Sequence, residues 1–419
     1  MKIIIAGGGI GGLTTALSLH KAGFEVKIFE SVKEIRPLGV GINLLPHSVR
    51  ILTNLGLQPK IAQTAVETKE LVYANRHGQI FWNEPRGRFA GYKWPQFSVH
   101  RGDLQMLLLE EVKQVIGADC LKTNHHLQSF ENIPDTSGQV AGCVTATFID
   151  RVTGKIQCHE TGDVLIGADG INSVVRQILY PNEGEVVYSG HVLYRGTTVM
   201  KPYLTSASMV MLGSLEKKMV VYPIGNQLNA AGEQLINWVG NLQEGEEYQL
   251  KVRDWNRQAD KQHLLDMYKN WNFDWLDVPA MISGAENIYE FPMSDRDPLP
   301  RWTFGRVTLL GDAAHPMYPV GSNGASQAIL DADALTNALI EETNIDAALE
   351  RYDQERVPAT AKVVLQNRQK GPDFIMDMME ERFPDGFTEG EIPHDELEQI
   401  MDNYKQVAGF DIKTLNEKA

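Results

Sequence analysis

The chain has 419 residues, 43% hydrophobic and 22% charged, a globular balance with material for two or three domains. Its formal net charge of −15 argues against nucleic acid and anionic membrane surfaces as partners. Three cysteines without CxxC spacing (Cys120, Cys143 and Cys158) argue against a disulfide framework or metal site, and no apolar run is long enough to span a bilayer, so a reducing cytoplasm is the expected setting.

In chain order, Lys2 to Ala6 reads as a buried strand, Gly11 to Ala22 as a helix and Glu25 to Glu30 as a second strand, one βαβ unit. Between the first two lies Gly7-Gly8-Gly9-Ile10-Gly11-Gly12, a G-x-G-x-x-G turn. Gly7 permits the tight turn, Gly9 lets a diphosphate approach the backbone, and Gly12 lets helix and strand pack closely. The N–H groups of Ile10 and Gly11 open the helix towards that diphosphate. Glu30 suits a ribose 2′-OH and repels a 2′-phosphate. The turn therefore reads as an FAD or NAD site, without deciding between them.

Glu70 to Trp82 reads as a hairpin turning at His77-Gly78, and a helix follows His100-Arg101. Cys120 to Gly167 reads as a β-meander with turns at Pro134–Gly138 and Thr153-Gly154. Its last apolar run ends in Ala168-Asp169-Gly170, where Asp169 can fix the loop by accepting from backbone N–H groups, with a helix cap at Asn172 or Ser173. Val186 to Asn241 reads as a second, antiparallel sheet, and Asp260 to Trp271 as a helix. The strand Val307–Leu310 leads into Gly311-Asp312-Ala313-Ala314-His315-Pro316-Met317-Tyr318-Pro319, and a helix begins near Ala325-Ser326. Asp312 stands at a strand end, where ligand-facing groups concentrate. The N–H groups of Gly324, Ala325 and Ser326 would face an anion. The last fifty residues read as acidic helices, with a connector at Glu380–Glu391.

These strings, in this order, resemble those of the FAD-dependent aromatic hydroxylases of the para-hydroxybenzoate hydroxylase type, the group A flavoprotein monooxygenases. The likeness spans roughly residues 1 to 370 and rests on GGGIGG, GADGINS and GDAAHPMYP, with Arg36–Asn43 and His100–Gln105 in support. Glu84-Pro85-Arg86-Gly87 and Asn323–Ala328 are similar to members that modify phenazine carboxylates. Where some relatives carry Gly-Gln-Gly, this chain has Ser322-Asn323-Gly324.

The resemblance implies bound FAD, transient NADH or NADPH, and O2 captured as a C4a-hydroperoxyflavin that hydroxylates a phenazine-, salicylate- or hydroxybenzoate-like ring. It implies that Glu30 holds the adenosine ribose, Arg101 the stretch between diphosphate and ribityl, and Asp312 the ribityl. Gly39, Val40 and Gly41 would run beside the isoalloxazine, with Arg36 opening the same string. Asp169 would lie between FAD and the nicotinamide path, and Pro319 where oxygen reacts. The absence of a second G-x-G-x-x-G fits a nicotinamide that binds, reduces and leaves.

The implied fold is mixed α/β. A Rossmann-like FAD-binding domain (1–66, 98–180, 285–345) holds an inserted antiparallel-sheet substrate domain (67–97, 181–284), and a C-terminal helical segment (346–419) follows. Arg195 suits a substrate carboxylate or phenolate, and Tyr222 is the other leading candidate for a substrate contact. Tyr194, Pro223, Trp238, Tyr289, Met293, Met317 and Tyr318 are further lining candidates, and His315 is a candidate proton-transfer group. A monomer or homodimer is expected. The competing readings are an FAD-dependent reductase or dehydrogenase for quinone- or polyprenyl-like substrates, and a flavin-bearing binding protein without catalysis.

Overall fold

The computed structural model describes residues 1–37, 39–134, 141–244 and 257–417. The expected turn at Pro134–Gly138 lies almost wholly outside them. From the N-terminus come β1 (Lys2–Ala6), α1 (Ile10–Lys21) and β2 (Glu25–Phe29), then the hairpin β3 (Glu70–Ala74) and β4 (Ile80–Pro85), then α2 (Arg101–Val115). They are followed by β5 (Val164–Gly167), β6 (Val187–Met200), β7 (Ser208–Gly213), β8 (Lys217–Pro223), β9 (Gln234–Gln243), β10 (Ile288–Asp295) and β11 (Val307–Leu309). The chain closes with α3 (Gly324–Glu341), α4 (Ile345–Arg368), α5 (Phe374–Arg382), α6 (His394–Val407) and a last short helix, Ile412–Glu417.

The first sheet has the order β11-β5-β1-β2 with a short edge strand at Leu121–Lys122, and all its pairs are parallel. Ile3, Ile4 and Ile5 are fully buried because the sheet is covered on both faces, by helices on one and on the other by the antiparallel strands that carry Phe148 and Gly162, so its strands read as continuous apolar runs. The expected meander divides. His126–Pro134, Ala141–Ile149 and Ile156–Gly162 form a three-stranded antiparallel sheet, while the next strand, β5, joins the parallel sheet beside β1. Its apolar run is buried on both sides, unlike the alternating strands before it.

The second sheet has the order β10-β6-β9-β8-β7-β3-β4. It extends past the 284 boundary expected from the sequence, since β10 pairs along Val187–Gly196 of β6. Alternate residues of a strand face opposite sides, so register sorts the aromatic residues. Tyr194 and Trp238 point into the rear core with Tyr268, Trp271 and the helix Lys261–Tyr268. Arg195, Tyr222, Asn237 and Tyr289 share the opposite face, through the pairs Arg195–Val239, Arg195–Tyr289 and Tyr222–Asn237.

The C-terminal segment covers part of that front face. Met376, Met378 and Met379 of α5 and Leu397 and Met401 of α6 pack on Leu71, Tyr73, Phe81, Met209, Met211 and Tyr222. Methionine's unbranched thioether fits such an irregular seam. Phe374 stays outside it, 44% exposed. Among the described residues no helix is long and apolar enough to cross a membrane.

Candidate active site

The glycine turn is built for close approach. Gly7 takes a left-handed φ of +114°, and a Cβ there would overlap the Ala168 carbonyl oxygen, so the Ala168-Asp169 loop sits directly against the turn. A Cβ on Gly12 would overlap the Gly7 carbonyl, and one on Gly11 would press on Leu310 and Ala328. Gly9 differs: nothing stands within 4 Å of its missing Cβ. It caps α1 without a side-chain bond, leaving the first-turn N–H groups of Ile10 and Gly11 open to a ligand.

Glu30 braces the turn. One carboxylate oxygen accepts from Gly8 N–H at 2.7 Å, the other from Val32 N–H at 2.9 Å and Ser31 Oγ at 3.1 Å. A carboxylate offers about four acceptor sites, so room remains for one further donor. Asp169 accepts from Val174 N–H at 2.7 Å through Oδ2, while its Oδ1 is buried without a partner. Burial pushes its carboxyl up. Ser173 caps the helix Val174–Leu179, receiving Arg176 N–H at 2.9 Å.

Asp312 is exposed at the end of β11, and no hydrogen bond occupies its carboxylate among the described residues. The loop that follows is pinned from below. Arg176 donates to the Ala313 and Ala314 carbonyls at 3.1 and 2.8 Å. His315 is 3% exposed, and its Nε2 donates to Asp331 at 2.6 Å. Asp331 also receives Arg356 Nε at 2.7 Å and Gly311 N–H at 3.0 Å. His315 thus sits beneath the loop, in a buried network, away from any open face. The structure gives it an anchoring place in contrast to the proton-transfer role considered from sequence.

Burial disfavours charge on Asp331, but His315 and Arg356 outweigh it and hold the carboxyl at about 2. This depressed value contributes stability above the unfolded value near 4, and that stability drains away as pH falls towards 2. The expected loss is about 2 kcal/mol across this window. Urea unfolding of wild type and Asp331→Asn at pH 5 and pH 3 checks it: the gap between them should narrow at the lower pH. A constant gap rejects the account.

The front face of the large sheet meets the Gly39–Gly41 stretch, which leads into the strand Gly41–Leu44, and the Met317–Ser326 loop. Gly41 N–H donates to Asn237 Oδ1 at 2.6 Å, and a Cβ on Gly41 would come within 2.6 Å of the Tyr222 ring. Gly39, at φ +118°, lies against the Arg101 side chain, and Arg101 N–H donates to Val40 O at 2.9 Å. Tyr318 and Val320 pack on Leu193, Val239, Phe291 and Met293 of the sheet, with Pro319 exposed between them. Ser326 receives Leu45 N–H at 3.2 Å and meets Ser48 Oγ at 3.0 Å, which fixes the start of α3.

Arg195 occupies this junction. Its guanidinium stands 5.4 Å from the Phe291 ring, its Nε is buried without a hydrogen-bond partner, and it forms no ion pair among the described residues. Burial lowers its pKa, and the nearby Arg101 charge lowers it further, against the pull of Tyr222. Tyr222 is 5% exposed, and burial holds its phenol well above the usual range.

Not every expected residue arrives here. Arg36 is largely exposed and pairs with Glu34 at 2.7 Å, so the structure does not bring it to the turn. Tyr194 and Trp238 face the rear core, where Trp238 Nε1 donates to Thr198 Oγ1 at 3.1 Å. Pro223 follows Tyr222 on β8 and takes the rear register position beside Ile236. Asn237 had no place in the sequence reading. A lone Asn inside the apolar alternation Leu235-Ile236-Asn237-Trp238-Val239 was its only signal.

Residues 1–367 match the family model described as FAD binding domain. The chain is 42% identical over 375 residues to phenazine 1,6-dicarboxylic acid hydroxylase PhzS of Lysobacter antibioticus, covering 88% of this chain and 89% of that protein. It is 30% identical to 3-hydroxybenzoate 6-hydroxylase of Polaromonas naphthalenivorans (strain CJ2), over 98% of this chain and 96% of the relative. The crystal structure of Klebsiella pneumoniae HpxO complexed with FAD and uric acid has the same fold, with a TM-score of 0.73 at 21% identity, covering 99% of this chain and 96% of that one. The chain belongs to the FAD-binding-domain family of flavoprotein aromatic hydroxylases.

Proposed function

We propose that this hydroxylase acts on a planar aromatic carboxylate of the benzoate or phenazine-carboxylate class, held by Arg195 between the large sheet and the Met317–Ser326 loop. The observation that carries this reading is Arg195, half-buried with its Nε buried, without an anionic partner among the described residues, and aligned with Tyr222 on the face above Gly41. A cation partly withdrawn from water with a buried, unbonded N–H is costly unless it is paired, so the site as built lacks a negative charge. A carboxylate meets a guanidinium through two parallel hydrogen bonds.

The residues present fit FAD. Gly9 leaves open space beside a helix start without a side-chain cap, Asp312 offers a free carboxylate, and Asp169 carries a buried orphan oxygen. Gly7, Gly9, Ile10, Gly11 and Gly12 would hold the diphosphate, Glu30 the ribose, Arg101 and Asp312 the ribityl side, and Gly39–Gly41 with Gly324–Ser326 the ring. The chemistry FAD supplies when bound is electron transfer from NAD(P)H to O2 and oxygen insertion into an aromatic ring. Arg195 would orient the substrate by its carboxylate. Tyr222, kept protonated by burial, would donate to an oxygen of the same molecule. Tyr318 and Val320, packed on the sheet, would keep water from the ring face. The three free thiols suit a reducing cytoplasm.

The test is an absorbance spectrum, then NAD(P)H oxidation with benzoates, phenazine carboxylates and their amides. Flavin bands and at least about tenfold greater stimulation by acid than by amide are expected, with oxygen in the product. Equal stimulation by acid and amide would remove the carboxylate from the proposal. A colourless protein that takes up no FAD would remove the whole of it.

A further inference from the structure

The string Glu84-Pro85-Arg86-Gly87 has no place in the site described so far. Pro85 ends β4, and Arg86 N–H donates to the Lys69 carbonyl at 2.8 Å. Gly87 takes a left-handed φ of +52°, and a Cβ there would overlap the Gln96 backbone nitrogen. The turn therefore seats Arg86 against the Gln96 stretch, and the two residues are only 9% and 2% exposed.

Both side chains line a cavity on the front face of the large sheet. Met209 and Met211 line it too, and they belong to the same packed cluster as Tyr222. Ser322, from the loop at the ring end of the site, and Tyr404 and Lys405 of α6 close it. The Tyr404 hydroxyl accepts from Asn323 Nδ2 at 2.7 Å, which ties α6 to that loop. The cavity is about 20 Å³, room for a small polar group and not for a ring.

Its polar lining is unsatisfied. Arg86 Nε and Gln96 Oε1 are buried without hydrogen-bond partners among the described residues. Arg86 Nη2 pairs with Glu84 at 2.8 Å, but Glu84 also holds Lys405 at 2.9 Å and is itself 7% exposed. Lys405 has a second partner, Asp402 at 3.0 Å, whose side chain is 57% exposed and screened by water. Two cations thus meet one buried carboxylate. Water can serve a neutral donor, whereas a surplus buried cation calls for an anion.

We propose that Arg86 is a second anion-reading residue, and that the substrate is a fused-ring aromatic dicarboxylate with one carboxylate on Arg195 and the other on Arg86. The inference rests on the reading of Arg195 above and narrows it. Arg195 on β6 and the Glu84–Arg86 end of β4 lie five strand spacings apart, with Tyr222 on β8 between them. That is about 24 Å from backbone to backbone, so a molecule that reaches both is long, which selects fused rings over a single benzoate ring. Only its terminal carboxylate enters the small cavity. There Arg86 donates Nε–H to one oxygen, and the Gln96 carboxamide, turned over, presents its NH2 to the other. Because Tyr404 and Lys405 close the cavity, the C-terminal segment beyond the family match becomes part of substrate selection.

The test titrates the FAD-loaded enzyme at equilibrium, followed by flavin fluorescence. The probes are phenazine and naphthalene monocarboxylates, and the dicarboxylates whose second group sits on the ring farthest from the first. Wild type should bind the dicarboxylates at least about tenfold more tightly, the worth of one charge-assisted hydrogen bond. Arg86→Met keeps the stem and leaves Glu84 to Lys405, and it should bring the two classes level by weakening the dicarboxylates. Arg195→Met should weaken both classes and spare the preference. Equal binding of the two classes by wild type overturns the proposal and leaves the cavity to ordered water. That comparison needs no variant, so it decides even where Arg86→Met fails to fold. A preference that survives in folded Arg86→Met overturns the proposal as well. If Arg195→Met changes neither class, the reading of Arg195 falls instead.

Discussion

Replacing Arg195 with methionine should lower kcat/KM for an aromatic carboxylate by about a hundredfold, the worth of one or two charge-assisted hydrogen bonds at about 1.5–3 kcal/mol. The same substitution should raise the thermal midpoint of the substrate-free protein. Arg195 is half-buried, its buried Nε has no hydrogen-bond partner and the nearby charge of Arg101 opposes it. The Phe291 ring at 5.4 Å offsets only part of that cost. Methionine keeps the volume and removes the charge, so a gain of about 2 °C is expected. Steady-state kinetics on an acid and its amide, with unfolding of the ligand-free protein, separate the two effects. Loss of activity with gain in stability marks a group retained for a ligand. If acid and amide lose activity equally, Arg195 does not read the carboxylate. If the variant unfolds earlier, the guanidinium is structural.

What the sequence revealed and what it hid have different physical origins. The glycine turn, Glu30, Asp169 and Asp312 were legible because their chemistry is local. A tight turn, a helix start and an acid at a strand end follow from spacing along one stretch of chain. The pairing of Arg195 with Tyr222 was reachable only as a wager, because it depends on which face of the sheet each strand turns inward. Trp238 and Tyr194 looked equally suitable and face the other way, since the register of β6 and β9 places them with Tyr268 and Trp271 in the rear core. The last strand of that sheet, β10, is separated in sequence from its partner β6, so no local signal attached it there. Asn237 and Tyr404 were invisible for a related reason. Each acts between elements far apart in sequence that only packing brings together, Asn237 on Gly41 and Tyr404 on Asn323. The segment after Gly371 is built from short helices whose buried face is largely methionine, and an amphipathic face of that kind does not say on which element it packs.

Gly9→Ala and Gly12→Ala should fail in opposite ways, although they lie three residues apart in one turn. A Cβ on Gly12 would overlap the carbonyl oxygen of Gly7, so α1 must shift from β1 whether or not a cofactor is present. Overpacking of this kind costs about 1–3 kcal/mol, and the cofactor-free protein should unfold correspondingly earlier. A Cβ on Gly9 meets nothing within 4 Å, and its backbone φ of −76° suits any residue. The cofactor-free Gly9→Ala protein should therefore unfold almost as wild type does, within the few tenths of a kcal/mol to about 1 kcal/mol that separate Gly and Ala at an N-cap. The empty space beside Gly9 is where a diphosphate would approach the helix start, so the same methyl group should weaken FAD binding by about a hundredfold. Thermal unfolding of the two apoproteins and FAD titration of each give four numbers. Stability lost at Gly12 and affinity lost at Gly9 place the diphosphate on the open side of the turn. Wild-type affinity in Gly9→Ala would mean that the open space is not the cofactor's, and the assignment of the whole turn would have to be given up.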